Sequence, residues 1–235
     1  MAKTALGKLR PAAIGMLELP RLEPAVLERF RALGDLTGTA SDALDECDIA
    51  GAVPASHLRP SDPRARLVGQ AITVLNRMVS ERRKVSGLAD IEAHNLAAPG
   101  DVLVVQGVPN ISSMGGVSAT IGKRQGEAGA IVDGAVRDID HSRAIGYPVW
   151  CTGVSPITGK WRIETIAVND PVHIAGIEVK PGDVVLADES GVCFVPFARA
   201  AQVLQVAQRL AASEAKRVKA LADGITLSEF IKLPR

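Results

Sequence analysis

The segment AGAIVDGAVRDIDHSRAIGYPVW, residues 128–150, passes from apolar residues straight into Arg137, Asp138, Asp140 and His141. A guanidinium is a permanent cation whose forked donors fit an anionic oxygen, and a carboxylate is a hard oxygen ligand suited to Mg²⁺ or Mn²⁺. A divalent ion and an arginine converging on one carbonyl oxygen would stabilise a developing enolate. The same pair has a purely structural reading, with Asp138 as N-cap of the following helix and Arg137 as its ion-pair partner. His141, one turn on, is either a second ligand or an ordinary exposed helix histidine. Asp140 and Arg143 read as a solvated face.

A second stretch, VPNISSMGGVSATIG (residues 108–122), places Gly115 and Gly116 at the entry to a helix. Glycines let the backbone approach a ligand closely, and a helix N-terminus offers unpaired amides to a carboxylate or phosphate. The glycines are equally well explained as a turn. The spacing matches neither a Walker loop nor GxGxxG. No Ser-His-Asp or Cys-His arrangement stands out.

These residues need elements to position them. The pattern of strands (DVLVVQG, GAIVDG, YPVWCTG) alternating with helices (GGVSATIGKRQG, RDIDHSRAIG) predicts parallel βαβ units, whose ligands gather at the carboxyl ends of the strands. ARLVGQAITVLN reads as a further strand, and SGLADIEAHNLAAPGD as a helix up to Ala98. PAVLERFRALG predicts a helix from Pro24 that buries Val26, Leu27, Phe30 and Leu33. TGTASDALDEC predicts a second, capped by Thr39 or Ser41, with Asp42, Asp45 and Glu46 in its first turn or on its wet face. Together the N-terminal helices span about 24–48. DPVHIAGIEVKPGDVVLADESGVCFVP predicts three short antiparallel strands, and Phe197 to about Ala222 a helix too long and polar to lie wholly on its own core. PGDVLVVQG and PGDVVLADESG echo each other as a turn-then-strand unit.

Composition narrows the function classes. With 235 residues, 47% of them hydrophobic, the chain can bury a full core. The formal charge of +1 leaves no electrostatic footprint for nucleic acid or an anionic membrane, and the one basic cluster, Arg82, Arg83 and Lys84, reads as a solvated loop. The three cysteines, Cys47, Cys151 and Cys193, lack metal-ligand spacing and read as reduced core thiols. Pro11, Glu18 and Pro20 interrupt any signal-like run, and no apolar segment approaches the roughly 18 residues of a membrane span. A cytoplasmic protein is the expectation.

Taken in order, LTGTASDALDE, PGDVLVVQG, MGGVSATIGKRQGEAGAIVDGAVRDIDHSRAIGYPVW and VKPGDVVLADESGVCFVP resemble the RraA-like family, which includes the 4-hydroxy-4-methyl-2-oxoglutarate/4-carboxy-4-hydroxy-2-oxoadipate aldolases. The resemblance covers roughly residues 37–217, and its most specific piece is IVDGAVRD followed by Arg143 and GYPVW. It implies an α/β fold, a layered sandwich of the swivelling β/β/α type with a long C-terminal helix. One domain would span residues 1–235, assembled as a homotrimer or a hexamer of two trimers with active sites between subunits. It further implies a metal-dependent class II lyase that releases pyruvate by retro-aldol cleavage of a 4-hydroxy-2-oxo acid, decarboxylates oxaloacetate, or does both. Asp138 would hold Mg²⁺ or Mn²⁺, and Arg137 would be catalytic, binding the oxo acid and stabilising the enolate. Gly115, Gly116, Val117 and Ser118 would bind the substrate carboxylate. Glu214 would reach the metal region of a neighbouring subunit.

Two departures stand out. Aldolase members carry an acidic residue, commonly in GD, where this chain has Gly116, and SERRKVSG replaces an amide-bearing segment ahead of ADIEAHNLAAPGD. Members that regulate ribonuclease E by binding it typically lack the aspartate after the arginine, whereas here Asp138 is present. A metal-dependent lyase and a catalytically silent binding protein are therefore the two readings carried forward.

Overall fold

A computed structural model describes residues 3–82 and 84–234. Two helices come first, α1 (Pro24–Arg31) and α2 (Leu36–Glu46), followed by β1 (Ala52–Pro54), β2 (Arg59–Pro60), β3 (Leu67–Met78) and α3 (Asp90–Leu96). The middle of the chain alternates: β4 (Val102–Gln106), β5 (Ser112–Met114), α4 (Gly116–Gln125), β6 (Gly129–Val136), α5 (Ile139–Ala144) and β7 (Val149–Val154). Short strands follow, β8 (Ile163–Val168), β9 (Val172–Ile174), β10 (Ile177–Val179), β11 (Val184–Asp188) and β12 (Gly191–Val195), and then α6 (Ala200–Ala222) and α7 (Leu227–Phe230).

The main sheet runs β1-β12-β11-β3-β4-β6-β7-β2, with β5 beside β6 and β8 beside β3, and β9 and β10 pair as a separate hairpin. Strands β3, β4, β6 and β7 are parallel, as the βαβ pattern predicts. β3 joins the two halves of the sheet. Its first residues pair antiparallel with β11, and Ala71–Leu75 pair parallel with β4.

Side chains alternate along β3. Leu67 and Ala71 face an inner layer with Trp150 and Phe194, Val68 faces the helices α1, α2 and α6, and Ile72 and Val74 face α3 and α4. Helices therefore cover the outer faces while the sheet curls its other face around a shared apolar interior. Val26, Leu27, Phe30 and Leu33 pack into the core beside α6 as expected.

Four sequence expectations need correction. The N-cap of α2 is Asp35, whose side chain accepts from the Gly38 amide, because Asp35 is extended and one turn ahead of Thr39, which is buried within the helix. Helix α3 stops at Leu96, since Ala97 turns extended two residues ahead of Pro99. The antiparallel addition holds four strands, β9 to β12, because the left-handed Ala175-Gly176 pair splits one expected strand into a hairpin. Arg143 is tied down as well as exposed, its Nε donating to the Ser61 carbonyl at 2.6 Å.

The PGD echo is a repeated turn. Asp101 and Asp183 each close a Pro-Gly turn with Gly100 and Gly182 left-handed, and each side chain accepts the amide three residues back, at 2.7 and 2.8 Å. All three cysteines are free and buried, and burial pushes the Cys193 thiol up to about 12 with Asp188 adding to the shift, which suits core thiols. No helix of the described residues is long and apolar enough to cross a membrane. Beyond Ala207, α6 buries none of its residues.

Candidate functional site

Parallel pairing brings the two chemically suggestive stretches together. β5 lies beside β6 with Met114 opposite Val136, and the Arg137 amide donates to the Met114 carbonyl at 3.0 Å, so the loops that leave both strands emerge side by side. There the Gly116 amide donates to Asp138 Oδ2 at 3.0 Å, and Arg137 Nε lies 3.6 Å from the same oxygen. A Cβ at Gly115 would stand 3.0 Å from Asp138 Oδ2 and 3.1 Å from Arg137 Nε, so both side chains would have to shift to admit it.

Asp138 occupies the N-cap position of α5 but makes no side-chain bond to that helix. Its carboxylate instead sits at the N-terminus of α4, where the helix dipole favours an anion. The capping reading is thus replaced by a carboxylate reaching across to a neighbouring helix. Its backbone is left-handed, φ 54°, a conformation that aspartate and asparagine adopt more readily than other residues with a Cβ. The ion-pair half of the structural reading stands, with both side chains about half exposed.

Two hollows meet at Gly116 and Val117. One, of about 430 Å³, is lined by Arg137, the loop Gly115–Ser118, Asp90 and Lys160. The other, of about 560 Å³, is lined by Asp138, Asp140, His141 and Thr120. Arg137 and the α4 N-terminus therefore present a cation and free first-turn amides to one space, which suits a carboxylate. Thr120 donates to the Gly116 carbonyl at 2.8 Å, and its hydroxyl lies 2.9 Å from His141 Nε2. Among the described residues no three His, Cys, Asp or Glu side chains cluster to hold a metal. One carboxylate with Asp140 and His141 in the same hollow is too sparse for a zinc cage. Ions that keep several waters and take only one or two carboxylates, such as Mg²⁺ or Mn²⁺, do not require such a cluster.

Glu214 is exposed on α6 and lines a separate hollow with Asp35, Asp42 and Arg217. The fold of one chain does not bring it to Asp138. Of the basic cluster, Arg82 stacks over Trp161 at 5.1 Å, a ring that Lys160 also approaches at 5.5 Å, Lys84 is exposed, and Arg83 lies outside the described residues.

Sequence reasoning missed a buried polar chain behind the first hollow. His94 Nδ1 lies 2.8 Å from Glu127 Oε1 and His94 Nε2 2.8 Å from Ser118 Oγ, while the Tyr147 hydroxyl donates to Glu127 Oε2 at 2.6 Å. Burial disfavours charge on His94, but the Glu127 hydrogen bond, its negative charge and that of Asp90 outweigh this and raise the imidazole above its ordinary value. Burial and then Glu127 hold the Tyr147 hydroxyl well above its usual range, as a neutral donor. The only sign in the sequence is a glutamate, Glu127, two residues ahead of a largely apolar strand.

The chain matches the profile of the RraA-like family, described as Aldolase/RraA, over residues 37–194. It is 31% identical over 191 residues to a putative 4-hydroxy-4-methyl-2-oxoglutarate aldolase of Halalkalibacterium halodurans, covering 80% of this chain and 86% of the relative. Protein DlpA of Legionella pneumophila is 29% identical over 197 residues, 80% of this chain, and the chain spans only 31% of that relative's length. Among solved structures, Streptomyces coelicolor RraAS2, described as an unusual member of the RNase ES inhibitor RraA protein family, superposes with a TM-score of 0.72 at 26% identity, covering 88% of this chain and 99% of that one. The layered α/β architecture and the span of the match agree, and the chain belongs to the RraA-like family.

Proposed function

We propose that the protein is a divalent-metal-dependent lyase acting on a short 2-oxo acid, by decarboxylation of oxaloacetate, by retro-aldol cleavage of a 4-hydroxy-2-oxo acid, or both. The observation that carries this reading is the convergence of Arg137, the first-turn amides of α4 and the left-handed Asp138 on adjoining hollows. The aldolase name of the Halalkalibacterium relative supports it.

In this reading the amides of Val117 and Ser118 bind the substrate carboxylate, and Arg137 orients the 2-oxo group and offsets the charge that develops as the enolate forms. Asp138 is the residue that would hold Mg²⁺ or Mn²⁺, and the ion would supply Lewis-acid polarisation of the oxo group. Both reactions pass through the same pyruvate enolate, so one site serves both. Retro-aldol cleavage also needs a base for the C4 hydroxyl, and Gly116 contributes no carboxylate to act as one, so decarboxylation is the stronger activity. We assign Glu214 to the metal region of a neighbouring copy within a homotrimer or a pair of trimers. The outer half of α6, which has no fully buried residue, supports such a partner.

The test is pyruvate release from oxaloacetate and from branched 4-hydroxy-2-oxo acids, with and without Mg²⁺ or Mn²⁺. Turnover that needs the metal and disappears in Arg137→Ala is the expected result. A protein that neither decarboxylates oxaloacetate nor binds oxalate with metal present is instead a silent binding protein, such as a nuclease regulator.

A further inference from the structure

The chain Tyr147–Glu127–His94–Ser118 begins in the interior and ends on the hollow that Arg137 lines. His94 and Tyr147 are fully buried, Glu127 is 5% exposed, and Ser118, third residue of α4, is 8% exposed and borders the hollow. A charged His94 donates Nδ1–H to Glu127 and Nε2–H to Ser118 Oγ. The serine's own O–H is then free to point away from the imidazole. Gly116 offers no acidic side chain to quench an enolate, and the Ser118 hydroxyl borders the same hollow.

We propose that Ser118 donates that proton to C3 of the pyruvate enolate and that His94, held by Glu127, restores it; the proposal rests on the lyase reading. The Ser118 O–H bond breaks as the enolate electron pair forms the C3–H bond, and the proton on His94 Nε2 moves to Ser118 Oγ. His94 is left neutral and is recharged from solvent by way of Asp90, which lines the same hollow with Oδ2 3.8 Å from Nε2. Ser118 is the catalytic residue, while His94 and Glu127, out of reach of substrate, are positioning residues.

Few other groups bear on the charge of His94. Glu127 and Asp90 are the titratable groups beside it, and Tyr147 acts through Glu127. Elsewhere on α3, Glu92 is occupied by the amides of Leu6, Lys8 and Leu9, and Lys3 by the carbonyls of Asn95 and Ala97. β3 and β8 contribute the neutral Asn76 and Thr165.

The experiment follows exchange of the pyruvate methyl protons in D₂O with Mg²⁺ by NMR, alongside the pH profile of oxaloacetate decarboxylation. Ser118→Ala should slow exchange by about 100-fold, within the range of general acid–base catalysis, while KM stays within about 3-fold. Glu127→Gln keeps hydrogen-bond partners for His94 and Tyr147 but removes the negative charge. The sign is set by the active imidazolium: kcat falls as pH rises through the raised His94 pKa, so this variant moves the alkaline limb, and the imidazole pKa read by NMR, to lower pH. Exchange in Ser118→Ala within about 3-fold of wild type, or an unmoved limb in Glu127→Gln, overturns the relay and leaves the lyase reading standing. Absence of both exchange and decarboxylation in the wild type overturns the lyase reading and the relay with it.

Discussion

Substituting Gly116 by aspartate tests whether the missing carboxylate limits the proposed cleavage. The backbone permits it, because Gly116 is not among the left-handed glycines. An added Cβ would meet His141 Cδ2 at 3.1 Å and Asp138 Cβ and Oδ2 at 3.4 Å, and the exposed His141 ring can yield the few tenths of an ångström required. Replacing glycine at the first position of the helix contributes at most about 0.5 kcal/mol, and an anion in its first turn about 0.3–1 kcal/mol. Against this, two carboxylates about 4 Å apart in water repel by about 1 kcal/mol. The balance lies within about 1 kcal/mol of zero, a Tm change of no more than about 4 °C. A divalent cation relieves the repulsion, so Mn²⁺ should bind about tenfold more tightly, which corresponds to about 1.4 kcal/mol. Retro-aldol cleavage should rise at least about tenfold, because the C4 hydroxyl regains a base, while decarboxylation changes less. Calorimetric Mn²⁺ titration and a coupled pyruvate assay on both substrates measure these effects. A folded variant with unchanged Mn²⁺ affinity and unchanged cleavage would refute the reasoning.

Two further outcomes follow from the geometry. Asp138→Asn retains an acceptor for the Gly116 amide and tolerates the left-handed backbone, so Tm should move by only a few degrees while Mg²⁺ or Mn²⁺ affinity drops at least about tenfold; undiminished affinity by calorimetry removes Asp138 from the metal site. Light scattering should find the wild type as a trimer or a multiple of one, and Val218→Asp, at a 59% exposed position on the outer half of α6, should shift it to smaller species; a monomeric wild type at micromolar concentration removes any role for Glu214.

Local chemistry made much of this protein legible from its sequence. Parallel strands, the α1 and α6 helices and the PGD turns follow from periodicity, proline and glycine, whose conformational effects act within a few residues. Arg137 and Asp138 could be singled out because charge placed directly after a buried strand is conspicuous in one dimension. The finer boundaries were harder to read. Thr39 is a good capping residue by type, yet Asp35 caps α2 because the chain turns extended there and the helix starts earlier. What Asp138 bonds to was undecidable locally: its carboxylate serves α4, 22 residues back, because β5 and β6 lie side by side. The Ser118–His94–Glu127 chain has no spacing signal at all, since its members come from α3, α4 and the entry to β6 and meet only when those elements pack. Sequence determines where a side chain can stand relative to its own strand or helix. Which charges share one low-dielectric space, and therefore shift and bond each other, is decided only when distant elements close over them.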